Sequence, residues 1–393
     1  MNKRKIAIFT GNRAEYGLQY PIIRAIDKHP ELEYYLLVSG AHLDEDFGQT
    51  KSEIMKDGFR IHAEVKLKLE QDNLYATALA IGSGILSLSS ILNELKPDFL
   101  LVYADRYEGF SAVITGSQMN VPIGHIEGGD LTEGGALDDS VRHAMTKLSH
   151  LHFCTNEESK KRILSLGEEP WRVHNVGFPA IDLLADGNFA TPQEIEEKYG
   201  LHRNRPIIVF TQHSVTTEFN KAALQVQPSL DALIQCAREG IQVVITYPNN
   251  DAGGRRIIKV IEQLRLMSIP NIIVSKNLGR YIYHGILKMC GLNGVCVGNS
   301  SSGIKETPFF GCPTVNIGSR QNGRLRSTNV IDVPYDKKDI ISAINKCLSD
   351  NMFRKECASC TNPYGTGNSG KRIADTLASV PTGRKMIQKR ITY

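Results

Sequence analysis

Residues Lys5–Gly17, K-I-A-I-F-T-G-N-R-A-E-Y-G, decide the fold. The mostly apolar run Lys5–Phe9 has strand length, the turn Gly11-Asn12-Arg13-Ala14-Glu15-Tyr16-Gly17 follows it, and a helical pattern extends through Tyr20–Lys28. A strand that ends in a glycine-bearing turn and feeds a helix opens a βαβ unit, where small residues let backbone approach a ligand. The turn is not G-x-G-x-x-G, so a dinucleotide site fails in detail, while Arg13 is placed to neutralise a phosphate.

Outward from this stretch the rhythm repeats. Strands are expected at Tyr34–Val38, Phe99–Tyr103, Val121–Ile126, Leu151–Cys154 and Arg172–Val176, with helices between them, which gives a first sheet of at least six strands. From Asp182 to Pro206 the chain turns polar and reads as a linker with one short helix. Alternation then restarts, with strands expected at Ile207–Thr211, Gln242–Thr246, Asn271–Val274, Gly294–Val297 and Thr314–Ile317 and a helix over Gly303–Phe309. Alternating β and α segments mean parallel sheets, so the expected fold is α/β, two Rossmann-like doubly wound domains facing a cleft, with boundaries at residues 1–185 and 186–365.

The bulk numbers agree with two domains. A chain of 393 residues exceeds what one core usually serves. Its net charge of +4 comes from 46 basic and 42 acidic residues without a long run of either sign, which argues against nucleic acid as a partner. The N-terminal apolar run lacks a signal-peptide core, so cytoplasmic residence is expected. Asn73–Asn93 has no charged side chain and is long enough to span a bilayer, but its glycines and serines make it too polar; a helix buried between protein layers is expected, and no membrane partner. Only Cys357 and Cys360 have metal or redox spacing, and without a second ligand pair they read as reduced thiols. His150 and His152 read as structural histidines with no nearby carboxylate to complete a site.

Three groups of residues carry chemistry. Gly298-Asn299-Ser300-Ser301-Ser302-Gly303 follows a strand and opens a helix reaching Glu306, so hydroxyls and backbone N–H groups converge on a diphosphate-sized site, with the Glu306 carboxylate suited to the two hydroxyls of a ribose. Tyr103-Ala104-Asp105-Arg106, Gly124–Gly129 and Asp138–His143 lie at or beyond adjacent strand ends, so Asp105, Glu127 and Asp138 are expected to crowd one site with Arg106 and Arg142 as partial compensation. Crowded carboxylates make usable acids and bases. His213, at the end of the first strand of the second domain, is expected to be a phosphate donor or proton carrier.

Together these motifs resemble the UDP-N-acetylglucosamine 2-epimerases, specifically the hydrolysing branch that feeds sialic and related nonulosonic acids. G-N-R-A-E-Y-G, A-D-R-Y-E, H-I-E-G-G, D-D-S-V-R-H-A-M-T-K-L-S-H, Y-P-N-N-D-A-G-G, G-N-S-S-S-G and G-S-R-Q-N-G-R occur in the family's order. The resemblance implies a glycosyltransferase-B-like fold, a C-terminal segment 366–393 whose helix returns to the first domain, and a homodimer or homotetramer. It implies Arg13, Arg106, His213, Asn249, Ser300, Ser301, Glu306 and Arg320 as substrate and UDP ligands, Tyr281 against the base, and Asp105, Glu127, Asp138 and Arg142 as the catalytic set alongside His213. The implied reaction eliminates UDP to a 2-acetamidoglucal and hydrates it to N-acetylmannosamine, without metal or other cofactor. UDP-N-acetylglucosamine, a UDP-2,4-diacetamido-trideoxy sugar and a GDP-linked sugar all remain open as substrates, as does the non-hydrolysing reaction, whose segment P-E-E-x-N-R differs from Leu137-Asp138-Asp139-Ser140-Val141-Arg142 here.

Overall fold

A computed structural model describes residues 3–43, 51–67, 74–131, 137–249 and 252–393, and it divides into two compact units. The first comprises Met1–Asp130, Leu137–Asp182 and Tyr364–Tyr393; the second comprises Leu131–Ala136 and Leu183–Pro363.

In the first unit seven strands run parallel: β1 (Arg4–Thr10), β2 (Leu32–Ser39), β3 (Ile61–Val65), β4 (Phe99–Tyr103), β5 (Ile123–Ile126), β6 (Leu151–Cys154) and β7 (Val173–Asn175), in the order β3-β2-β1-β4-β5-β6-β7. Period-2 alternation sends Ile6 and Ile8 of β1 to one face and Ala7 and Phe9 to the other. On the first face lie α1 (Arg13–Lys28) and, much later in the chain, α15 (Ser369–Ser379); on the second lie α3 (Leu74–Leu95) and α4 (Tyr107–Gln118). Helices α2 (Lys51–Lys56), α5 (Leu137–Leu148), α6 (Glu157–Ser165) and α7 (Ala180–Ala185) fill the remaining connections.

The start of α1 is fixed locally. The Asn12 side chain accepts from the Glu15 N–H at 3.0 Å, the usual cap for an orphan donor. The start of α15 is fixed from afar, because Asn368 makes no side-chain cap and the buried Asp182 carboxylate instead accepts the N–H groups of Ser369 and Gly370, both at 2.8 Å. Gly370 then packs so closely on α1 that a Cβ there would sit 2.5 Å from the Pro21 carbonyl oxygen.

The second unit carries β8 (Ile207–Thr211), β9 (Gln242–Thr246), β10 (Ile272–Ser275), β11 (Gly294–Gly298), β12 (Thr314–Ile317) and β13 (Val330–Val333), parallel and in the order β10-β9-β8-β11-β12-β13. Helices α9 (Ala222–Arg238), α10 (Gly254–Leu266) and α13 (Lys337–Ser349) cover one face, and α8 (Pro192–Tyr199) and α11 (Gly279–Asn293) the other, while α14 (Asn351–Ala358) follows α13.

Three expectations need correction. The expected uncharged helix is real, as α3, but not sandwiched: Ala76, Ala80, Gly84, Leu88 and Leu92 are buried at a four-residue period, whereas Tyr75, Leu79 and Leu86 are exposed. The helix after β11 is interrupted; α12 covers only Ser302–Lys305 before a 3₁₀ turn at Thr307–Phe310, where Pro308 has no N–H to continue the ladder. His152 does have a carboxylate, the buried Glu168, at 2.9 Å, and Lys147 and Lys389 also bind it.

Candidate active site

β1 leads into α1 on one face of the first sheet and its neighbour β4 into α4 on the other, so the turns after these two strands mark the switch point at which ligands of such sheets bind. The backbone there is strained: Ala104, just past β4, has φ +55°, and Glu127, just past β5, has φ +64°, values that non-glycine residues rarely adopt. Ala104 is held by two bonds, its N–H to the Ile126 carbonyl at 2.9 Å and its carbonyl accepting from His125 Nε2 at 2.7 Å. A carbonyl only accepts, so His125 carries its proton on Nε2, and burial pushes the ring's pKa down to about 3.

Asp105 follows Ala104 and pairs with Arg142 of α5. Arg142 is 3% exposed, and it also donates to the Asp139 carboxylate at 2.8 Å and the Asp130 carbonyl at 2.8 Å. Burial alone would weaken its hold on the proton, yet Asp105, Asp130, Glu127 and Asp139 around it raise its pKa above the ordinary value. Glu127 is buried, and the Tyr103 phenol is driven well above its usual range by burial and then by the charge of that carboxylate. Asp105, Glu127 and Arg142 are thus brought together. The side chains of Asp138 and Arg13 lie outside the described residues.

Arg106 departs from expectation. It grips Glu108 with two bonds of 3.1 Å, leaving its own side chain 48% exposed and the Glu108 side chain buried. Its charge is spent on a carboxylate absent from the sequence-based set. Near Glu108 lies a second omitted carboxyl, Glu15, which accepts from the Gly11 N–H at 3.3 Å and from Gln19 Nε2 at 2.9 Å. Burial and then Glu108 raise its pKa to about 8, so it holds a proton at neutral pH. The buried acid two residues after Arg106 and the acid inside the glycine-bearing turn were the available signals.

The second sheet repeats the geometry between β8 and β11. His213 follows β8, and its Nδ1 accepts from the Asn249 N–H at 3.0 Å. Burial, then Arg320, lowers its pKa to about 3. The ring is therefore neutral with its proton on Nε2, which makes it a hydrogen-bond donor rather than the alternative proton carrier. Asn249 contributes its backbone here, and its side chain is exposed. Ser300 and Ser301 directly precede the short α12, with their carbonyls accepting from the N–H groups of Gly303 and Ile304. Arg320 reaches the Asn299 carbonyl at 3.3 Å.

Glu306 is buried with one oxygen already committed: Oε2 accepts from Ser302 at 2.6 Å and from His284 Nε2 at 3.1 Å. Burial alone would raise its pKa, but these partners hold it below the ordinary carboxylate range, so a charged Oε1 is the acceptor left for a ligand. Tyr281 is tied elsewhere, its hydroxyl donating to Glu194 of α8 at 3.2 Å. Among the described residues no group of His, Cys, Asp and Glu could hold a metal, and all eight cysteines are free thiols.

Two doubly wound parallel sheets, each gathering polar side chains beyond its strands' carboxyl ends, define an α/β enzyme of the glycosyltransferase-B-like class. Within that class the chain belongs to the UDP-N-acetylglucosamine 2-epimerase family, whose sequence profile matches residues 24–378. It is 32% identical to the UDP-N,N'-diacetylbacillosamine 2-epimerase (hydrolyzing) of Legionella pneumophila, over 99% of this chain and 100% of that one. It is 33% identical to the GDP/UDP-N,N'-diacetylbacillosamine 2-epimerase (hydrolyzing) of Campylobacter jejuni, over 86% of each chain. The crystal structure of the UDP-GlcNAc 2-epimerase from Neisseria meningitidis bound to UDP-GlcNAc shares the fold, with a TM-score of 0.80 at 20% identity over 95% of this chain and 99% of that one.

Proposed function

We propose that the chain is a hydrolysing 2-epimerase of a UDP-linked 2-acetamido sugar, converting it with water to UDP and the free mannose-configured sugar. The observation that carries the reading is the set of carboxylates Asp105, Glu127 and Asp130, from loops, and Asp139, from α5, gathered around one buried guanidinium. Such a cluster is arranged for proton traffic, which a glycosyltransferase of the same fold does not require.

In the first stage a carboxylate takes the proton from C2 while the C1–O bond breaks; the C–H pair becomes the C1=C2 bond of a 2-acetamidoglucal, and UDP leaves with the C1–O electrons. In the second stage water adds its hydroxyl to C1 and yields its other proton to a carboxylate, while a carboxylic acid returns a proton to C2 from the opposite face. His213 as a neutral donor, Arg320 and the Ser300–Ser301 segment stabilise the diphosphate charge as it develops. Glu306 receives a ribose hydroxyl on Oε1. UDP-N-acetylglucosamine, giving N-acetylmannosamine for sialic acid-type sugars, is the first reading, in line with the family's own substrate name. The relatives named above favour UDP-N,N'-diacetylbacillosamine as a second reading. A homodimer or homotetramer belongs to the same proposal, supported by the exposed apolar face of α3.

Incubation with each UDP-sugar in heavy water, followed by NMR, tests the reading. The expected product is a free sugar with deuterium at C2; a UDP-linked epimer would replace hydrolysis with the return reaction. Asp105→Asn and Glu127→Gln are each expected to cut turnover by roughly a hundredfold or more while UDP still binds, as measured by initial rates and calorimetry. Unchanged turnover in both would remove the carboxylate mechanism.

A further inference from the structure

The last paired rung between β8 and β11 joins Thr211 to Gly298, and beyond it the two chains should separate. They do not do so at once. The Asn299 N–H still reaches the Thr211 carbonyl at 3.1 Å, and the Asn299 side chain then does what another strand residue would do. Its Oδ1 accepts from the His213 N–H at 2.6 Å, and its Nδ2 donates to the His213 carbonyl at 2.9 Å. Asn299 is fully buried, and its own carbonyl accepts from Gln321 Nε2 at 2.7 Å and from Arg320 at 3.3 Å. One residue therefore ties together the three loops that carry His213, Ser300–Ser301 and Arg320.

We propose that Asn299 is the positioning residue for His213: its amide closes a two-way bridge onto the His213 peptide, so that the ring meets the Asn249 N–H with Nδ1 and presents Nε2–H as a donor to the diphosphate. This rests on the diphosphate reading of the second unit. The bridge needs a donor and an acceptor on one short planar side chain, which asparagine supplies and aspartate does not. In Asn299→Asp one carboxylate oxygen keeps the His213 N–H, while the other faces the His213 carbonyl, lone pair against lone pair. Protonation of that carboxyl would restore the donor. The groups facing the bridge are His213 itself and Arg320; His213 does not titrate in the acid range at issue, because its pKa lies down at about 3.

The test is UDP affinity by calorimetry for the wild type, Asn299→Asp, Asn299→Ala, His213→Ala and the His213→Ala/Asn299→Asp double variant, at pH 8 and pH 5. Asn299→Asp is expected to weaken UDP binding on the order of tenfold or more relative to wild type at pH 8, the scale of one buried hydrogen bond, and the deficit should shrink at pH 5. The Asn299→Ala deficit should be the same at both. In the His213→Ala background Asn299→Asp should cost little, a non-additive cycle. Additive losses, or an Asn299→Asp deficit indifferent to pH, would overturn the assignment. Should the variants fail to fold, nitrogen-15 NMR of the wild-type histidines decides it, since a His213 protonated on Nδ1 is incompatible with the Asn249 N–H contact in which the bridge is proposed to hold the ring. A wild-type protein that does not bind UDP would instead remove the diphosphate reading on which the inference stands.

Discussion

At the residue scale, Glu15 shows how a fold sets a proton inventory. An ordinary carboxyl releases its proton near pH 4.5, but Glu15 is buried beside Glu108, with the Arg106 charge already engaged by Glu108 and Asp105 adding to the repulsion, and its pKa rises to about 8. Between these two values the folded state keeps a proton that the unfolded chain has lost. Stability therefore falls as pH rises from about 4.5 to about 8, by up to about 1.4 kcal/mol per unit, and the penalty is complete above that range. Glu15→Gln keeps the shape and removes the titration. Thermal melts at pH 5 and pH 9 are expected to show a smaller loss for Glu15→Gln than for the wild type; parallel losses would mean that Glu15 is ionised in the native protein.

At the scale of elements, α3 does two jobs on two faces. Its buried stripe approaches α4 so closely at Gly84 that a Cβ there would lie 2.7 Å from the Ser111 hydroxyl, so Gly84→Val is expected to cost about 1–3 kcal/mol of stability in denaturant melts. Leu86, on the outer face, is exposed, and Leu86→Glu is expected to leave the melt unchanged while lowering the mass found by light scattering. An unchanged mass would take away the support for self-association through this face. What was legible in the chain follows the same division between faces and edges. Central strands such as Phe99–Tyr103 and Gln242–Thr246 are buried on both sides and announce themselves as apolar runs. The edge strands Ile61–Val65 and Val330–Val333 went unread because half-exposed residues such as His62, Glu64 and Asp332 break the run. Asp105, Glu127 and His213 could be found from their places after strands, and Arg142 from the helical segment that follows Asp138. The weight of Glu15 and Glu108 comes from burial, which the nearby spacing only hints at, and that of Asn299 from a partner far along the chain, His213.

For the molecule as a whole, the decisive feature is that its final helices belong with its first. Ile373, Ala374 and Leu377 of α15 enter the same core as Ile22 and Ile26 of α1, and Arg172 fastens the last residues by donating to the carbonyls of Lys385, Met386 and Gln388 at 2.8–3.1 Å. Asp182→Ala removes the carboxylate that caps α15 and is expected to cost about 1–2 kcal/mol, with faster hydrogen exchange confined to residues 369–379 and their neighbours on α1. Exchange unchanged there would show that packing alone seats the helix. During synthesis the half made earliest is consequently the half finished last: residues 364–393 must emerge before the carboxylate-bearing unit can close its core. A stop codon at Tyr364 would spare every strand of the later sheet and still cripple the unit whose sheet is encoded first.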